Sequence, residues 1–257
     1  MSSEWNDLAN VYARLGAPMR PSPVDVDRVN DLITTADDNV LLLGVTPEYS
    51  TVGKMLTAVD GTAQMIRDNW PGDNDRRRAM LADWLNLPFP DETFTAIIGD
   101  GSLGSAATGL PNLFQELRRL LAPGGVCAFR TFCSPAIPEP LEKIVENISA
   151  RPNENGLCLR MRMAMTLAAR SPDYVFPIRE VVEAFDTHCP DRETLAQKTG
   201  WTMDEVSRID SMKNATYGVG FPSRAYLLGL AEKHFQAEFV ESKGYPLAER
   251  CPVLVLR

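Results

Sequence analysis

Phe94-Thr-Ala-Ile-Ile-Gly-Asp100 is an apolar run of strand length that ends in a carboxylate, and it decides the fold because it is not alone. Met55-Leu-Thr-Ala-Val-Asp60 and Arg78-Ala-Met-Leu-Ala-Asp83 end the same way, and Val40-Leu-Leu-Leu-Gly44 precedes them all. A helix is expected over Thr62–Asn69, another over Leu110–Leu121, where Leu113, Leu117 and Leu120 share one side. Pro123-Gly-Gly125 then reads as a turn into a fifth strand, Val126–Phe132. Strands alternating with helices in units of this size point to an α/β fold with a parallel sheet and right-handed crossovers. Open sheets of that kind bind ligands beyond the carboxyl ends of their strands, where these carboxylates stand. Carboxylates accept hydrogen bonds, so they suit ribose hydroxyls and an adenine amino group, which donate.

Around this alternation the chain divides into three parts. Residues 1–35 read as an N-terminal helical cover. Trp5, Leu8, Val11, Tyr12 and Leu15 recur at helical spacing over 4–16, and a second helix runs to about Thr34, with Ser22 as N-cap and Pro23 at its first position. Residues 36–134 and 233–257 form the sheet domain, closed by strands near 236–243 and 251–256. Residues 135–232 show almost no strand signal and are expected to be a helical insertion, with helices near 139–150, 157–169, 177–187, 191–199, 202–212 and 223–234. Asp191 and Thr202 are N-cap candidates there.

At 257 residues, 44% hydrophobic and 23% charged, the chain can bury a substantial core. Its net charge of −8 argues against a general binder of nucleic-acid phosphates, which presents a basic face. The one tight basic cluster, Arg76-Arg77-Arg78, lies beside Asp73 and Asp75 and reads as a solvated loop before a strand. Cysteines 127, 133, 158, 189 and 251 form no C-x-x-C pair and show no ligand spacing, so no metal site is expected. The first residues lack the basic and apolar regions of a signal peptide, and no apolar run approaches a membrane span. These features fit a cytoplasmic protein, monomer or homodimer, with neither nucleic acid nor membrane as partner.

Gly44 leaves the first strand in Gly44-Val-Thr-Pro-Glu48. A glycine there allows backbone to approach a ligand closely, or simply makes a tight turn. No G-x-G-x-x-G and no G-K-[ST] follows it, so neither a dinucleotide fingerprint nor a P-loop is present. Asp60, at the tip of the next strand, suits ribose hydroxyls. It also suits an N-cap for the helix at 62–69, and one residue can do both.

Ala82-Asp83-Trp84, then Leu87-Pro-Phe-Pro-Asp-Glu-Thr-Phe94, then the strand to Asp100-Gly-Ser resembles the class I S-adenosylmethionine (SAM)-dependent methyltransferases. Leu117-Arg-Arg-Leu-Leu-Ala-Pro-Gly-Gly125 resembles that family's turn before its fifth strand, and the closing strand pair its reversed hairpin. The resemblance covers about 36–133 and 233–257. It implies a Rossmann-like, mostly parallel seven-stranded sheet with helices on both faces, SAM as cofactor, and roles by position. Gly44 would pass under the methionine part, Asp60 would hold the ribose hydroxyls, and Gly61 and Met65 would flank the adenine. Asp83 would accept from the adenine amino group, and the Trp84 N–H would reach a ring nitrogen. Asp100, Gly101 and Ser102 would lie beside the reactive methyl, with Asp100 available to the cofactor's ammonium through its backbone or side chain.

The chain departs from the family at its first motif, where Leu42 replaces an acid and Thr46 and Glu48 replace glycines. The Thr46 hydroxyl could donate to the methionine carboxylate, and Arg20, in Met19-Arg-Pro-Ser22, is the candidate for that carboxylate's charged partner. The resemblance implies methyl transfer to a small-molecule acceptor, an O, N or C nucleophile, mainly by proximity and orientation. The competing reading is a catalytically degenerate SAM-binding or partner subunit of the same fold. A base helps only if the acceptor carries a proton, and His188 in the insertion is the candidate. His234 reads as structural, and Met161, Met163 and Met165 as core or as an adaptable apolar pocket.

Overall fold

The computed structural model describes residues 15–33 and 39–257, so the helix expected over 4–16 falls almost wholly outside the described residues. The chain forms two compact units, residues up to 132 together with 225–257, and residues 133–224. In chain order the described strands are β1 (Asn39–Leu43), β2 (Met55–Asp60), β3 (Arg77–Leu81), β4 (Phe94–Asp100), β5 (Leu121–Arg130), β6 (Val175–Pro177), β7 (Gly218–Gly220), β8 (Ala237–Val240) and β9 (Val253–Leu256). Seven of them form one sheet in the order β3-β2-β1-β4-β5-β9-β8. Strands β1 to β5 pair in parallel, and β9 is antiparallel to both β5 and β8. The order reverses between β1 and β4, so the carboxyl ends of these two strands flank the switch point.

Both faces of this sheet are covered, which is why β1 reads as unbroken apolar sequence rather than as alternation. Val40, Leu42, Ala58, Ala96, Ile98, Ala128, Val253 and Val255 share one buried cluster with Val29 and Ile33 of α1 (Pro23–Ile33). Leu41, Leu43, Ile97, Cys127, Phe129, Leu254 and Leu256, at the alternating positions, are fully buried as well. Helix α1 starts as its sequence predicts. The Asp25 N–H donates to Ser22 Oγ at 3.3 Å, and the Ser22 N–H donates back to Asp25 Oδ2 at 2.9 Å, a reciprocal cap.

Helices α2 (Ala63–Asn69), α3 (Ser102–Ser105) and α4 (Leu110–Leu120) follow within this unit. The two segments that carry the family resemblance hold one another. Glu116 Oε1 of α4 accepts from the Leu87 N–H, and Arg119 donates to the carbonyls of Leu87 and Phe89 and to Asp91. Phe89 meets Phe94 edge-on, with ring centroids 5.0 Å apart. Pro123-Gly-Gly125 is not the turn before β5 that the sequence suggests. It is a bulge inside β5, where the register against β4 jumps from Phe94↔Leu121 to Ala96↔Val126. A β-carbon on Gly125 would stand 2.8 Å from the Thr95 carbonyl oxygen, so the strands can approach only because it is absent.

In the second unit lie α5 (Leu141–Glu146), α6 (Gly156–Ala168), α7 (Arg179–His188), α8 (Arg192–Thr199) and α9 (Met203–Ser207), and α10 (Arg224–Ala231) begins at its edge. Asn155, Asp191 and Thr202 cap α6, α8 and α9 through their side chains. The segment is not purely helical. Strands β6 and β7, far apart in sequence, form a small two-stranded antiparallel sheet, missed because Gly218-Val-Gly220 is too short to show alternation. Among the described residues no helix is long and apolar enough to cross a membrane.

One polar network sits inside the sheet unit. Arg130 ends β5 directly opposite Asp100 at the end of β4, and neither side chain reaches solvent. Arg130 Nε donates to Asp100 Oδ1 at 2.6 Å and its terminal nitrogens donate to Asp100 Oδ2, the Pro18 carbonyl and Tyr245 Oη. The Tyr245 hydroxyl donates in turn to Asp25 Oδ1 at 3.3 Å. Burial lifts the Asp100 carboxyl to about 6 while the guanidinium pulls it back. Burial would lower Arg130, but Asp100 holds it well above its ordinary value. These shifts bear oppositely on the pair, and the forked geometry decides for two ionised partners at neutral pH.

Removing one partner strands a buried charge. Arg130→Met should therefore lower unfolding free energy by about 3–5 kcal/mol in a denaturant titration. The double variant Asp100→Leu/Arg130→Met should lose far less than the sum of the single losses. Additive losses would show that the two side chains do not act as a pair.

Candidate functional site

The carboxyl ends of β1, β2 and β4 and the loop after β3 bring most of the sequence candidates into one unit. Gly44, one residue past β1, has φ +104°, a conformation that favours glycine. No atom lies within 4 Å of where its β-carbon would stand, so the backbone is open on that side. The Gly44 N–H donates to the Val59 carbonyl at 2.8 Å, and the Trp84 indole donates to the same oxygen at 2.7 Å. One acceptor thus ties the turn after β1 to the loop after β3.

Asp60 ends β2 and is buried. Its Oδ1 accepts from the Thr62 N–H at 2.8 Å, so it helps to open α2 as an N-cap would. Burial pushes its carboxyl up to about 6, against the pull of the Thr62 bonds. Gly61 is half-buried beside it. Met65, on α2, packs against the core cluster and accepts from Asn69 at 3.8 Å through its sulfur. Asp83 does not end its strand as the sequence suggests. β3 stops at Leu81, and Asp83 stands exposed in the loop, where its Oδ1 takes the Leu85 N–H. Among the described residues β3 is an edge strand of the sheet. The Arg76–Arg78 cluster also proves local. Arg77 donates to the Gly72 carbonyl and stacks over Trp70, which shapes the loop before β3.

At the switch point Thr46 is buried, and its carbonyl accepts from Tyr49 in the short 3-10 turn Pro47–Tyr49. Arg20 pairs with Glu48, Nη2 to Oε1 at 2.7 Å. Both oxygens of Asp100 accept from Arg130, and its side chain is buried. Gly101 has φ +67°, and a β-carbon there would press on the Phe132 ring at 2.9 Å. The Ser102 hydroxyl is buried without a hydrogen-bond partner among the described residues. Three residues of the site escaped sequence reading: Arg130, Asp25 and Tyr245. Arg130 alone left a signal, a cation in the apolar run Cys127-Ala-Phe-Arg130, where a buried charge requires a partner.

His188 belongs to the second unit. There it lines a cavity of about 280 Å³ with Leu141, Leu167, Arg170, Glu180 and Ala184. His234 lies in the first unit, where its ring meets that of Phe235. Met161, Met163 and Met165 are buried in α6. Among the described residues no three His, Cys, Asp or Glu side chains gather as a metal site would require.

These positions fit SAM chemically. Asp60 brings a buried carboxylate, a group that suits hydroxyl donors such as those of a ribose, Gly44 brings open backbone, and Ser102 and Glu48 bring buried oxygens that have no partner among the described residues.

Residues 44–129, about a third of the chain, match the methyltransferase domain family. A demethylmenaquinone methyltransferase of Corynebacterium kroppenstedtii is 29% identical over 165 residues, which cover 61% of this chain and 62% of that protein. The chain therefore matches less than two thirds of that relative's length. A solved SAM-dependent methyltransferase of Methanosarcina mazei aligns over 92% of this chain and 96% of its own, at 13% identity and a TM-score of 0.50. A Rhodobacter sphaeroides structure provisionally described as a zinc-dependent alcohol dehydrogenase aligns over 100% and 98%, at 13% identity and a TM-score of 0.58. At such identities the structural likenesses speak for the fold alone. The match to the methyltransferase domain family runs from the turn after β1 into β5, inside a sheet of the order described above.

Proposed function

We propose that the protein transfers a methyl group from SAM to a small-molecule acceptor. The buried strand-tip carboxylate of Asp60, beside the open turn at Gly44, carries the reading. Bound there, the cofactor supplies a sulfonium methyl that passes to an acceptor lone pair while the carbon–sulfur electrons return to sulfur. Asp60 accepts from the ribose hydroxyls, and Gly61 and Met65 border the adenine. Asp83 and the Trp84 N–H meet the adenine edge, with the Trp84 indole anchoring that loop to Val59. Gly101 and Ser102 stand at the methyl end, where the buried Ser102 hydroxyl turns toward the β4 tip. Alignment rather than acid–base chemistry carries the step, because a sulfonium is already a good leaving group.

The acceptor is small and apolar in this reading. The matched Corynebacterium proteins, named for demethylmenaquinone, support that class, as does the methionine-rich α6. His188 is the candidate base if the acceptor loses a proton, and Glu180, Glu183 and Arg170 line the same cavity.

Calorimetric titration should detect SAM and its product S-adenosylhomocysteine, and no response to NAD. Absence of SAM binding would refute the proposal. Binding without turnover over a panel of apolar acceptors would favour a non-catalytic partner subunit.

Asp60 gives two further expectations. Ribose hydroxyls require its ionised form, so SAM affinity should hold above the carboxyl's value of about 6 and fall below it, approaching tenfold per pH unit. A flat profile from pH 5 to 8 would remove Asp60 from the ribose. Its raised value also means that the free protein holds the Asp60 proton more tightly than the unfolded chain does. That contribution is complete below the unfolded value and is lost as pH rises through about 6. Near neutral pH the buried charge then costs the fold roughly 2–3 kcal/mol. Asp60→Asn should raise the melting temperature of the free protein at neutral pH while weakening SAM about a hundredfold.

A further inference from the structure

The family's third glycine position bears Glu48, a residue whose charge should repel the carboxylate of an amino acid brought near it. Three observations give it another use. Glu48 is ion-paired with Arg20 at 2.7 Å, with the two side chains only 25% and 18% exposed. It sits in the turn directly beyond the carboxyl end of β1, beside the switch point. Its second oxygen, Oε2, is buried and has no hydrogen-bond partner among the described residues.

An α-amino acid end is itself a cation and an anion a few ångströms apart. A fixed Arg–Glu pair presents the complementary set. We propose that Glu48 and Arg20 together read the amino-acid end of the cofactor: Glu48 Oε2 accepts from the α-ammonium and the Arg20 guanidinium donates to the α-carboxylate. The inference rests on the SAM reading above and names how that site holds its methionine end. Asp100, the other carboxylate at the switch point, is already engaged by Arg130 at both oxygens, and its side chain is only 1% exposed. The local charge also favours a cation. Asp25 and Glu48 both bear electrostatically on Asp100, Asp100 is paired to Arg130 and Glu48 to Arg20, so three acids stand with two guanidiniums. With side chains holding the ligand, the turn after Gly44 need not bring bare backbone close. Thr46 and Glu48 can then stand where the family has glycines.

The test separates the nucleoside from the amino-acid end. Methylthioadenosine lacks that end, and the aminopropyl thioether of adenosine keeps its ammonium but lacks the carboxylate. S-adenosylhomocysteine should bind the unaltered protein at least about tenfold more tightly than methylthioadenosine. Glu48→Gln should erase most of that difference and leave methylthioadenosine within about twofold, which also reports that the variant is folded. Arg20→Gln should weaken S-adenosylhomocysteine by about tenfold and leave the aminopropyl thioether unchanged. Tighter S-adenosylhomocysteine binding by Glu48→Gln would overturn the proposal, because Glu48 would then be a competitor for Arg20. An unchanged difference would overturn it as well. If S-adenosylhomocysteine itself does not bind the unaltered protein, the SAM reading falls and this inference with it.

Discussion

A guanidinium with no exposed surface lies at the end of a central strand, and the site is arranged around it. Arg130 must find acceptors inside the protein, since an unpaired buried cation is among the most unfavourable features a fold can contain. It finds them in Asp100 across the register, in the Pro18 carbonyl and in Tyr245. Three stretches far apart in sequence are thereby brought to one point. Apolar packing gives the sheet its cohesion, but it tolerates small slips. A fork between a guanidinium and a carboxylate does not, so the alignment of β4 against β5 is set by charge at the very end where a ligand would bind.

The strand-tip carboxylates are consequently not equivalent. Asp60 and Asp100 are both buried, and burial raises both to about 6. Asp100 is satisfied by its neighbour and serves the fold. The Asp60 carboxylate accepts from Thr62 alone among the described residues, which leaves acceptor capacity unused. A third, Asp83, is exposed and barely constrained. What looks in the sequence like one repeated device is three different ones, separated by what each carboxylate meets.

Much of the architecture was legible because it is written in local patterns. β1, β2 and β4, α4 and the cap of α1 appear within a residue or two of their expected places, since each rests on periodicity or on a side chain bonding a few positions away. The motif Leu87–Phe94 and the segment Leu117–Gly125 were readable separately. Their mutual anchoring through Glu116 and Arg119 was not, because hydrogen bonds between residues about thirty apart leave no mark on spacing. The same holds for Asp25 and Tyr245, distant in sequence and joined only by folding. The bulge at Pro123-Gly-Gly125 looked like a turn because turn residues also make bulges, and only the register against β4 tells them apart.

The Val59 carbonyl has two lone pairs, and each is spoken for: one by the peptide that starts the turn after β1, one by the indole of Trp84. The rim of the sheet is therefore stitched across three strands through a single oxygen. A movement of the β3 loop is felt at Gly44 without any contact between the two. Sequence changes on that loop will thus reach the turn at Gly44, and the two halves of the rim are free to diverge only together.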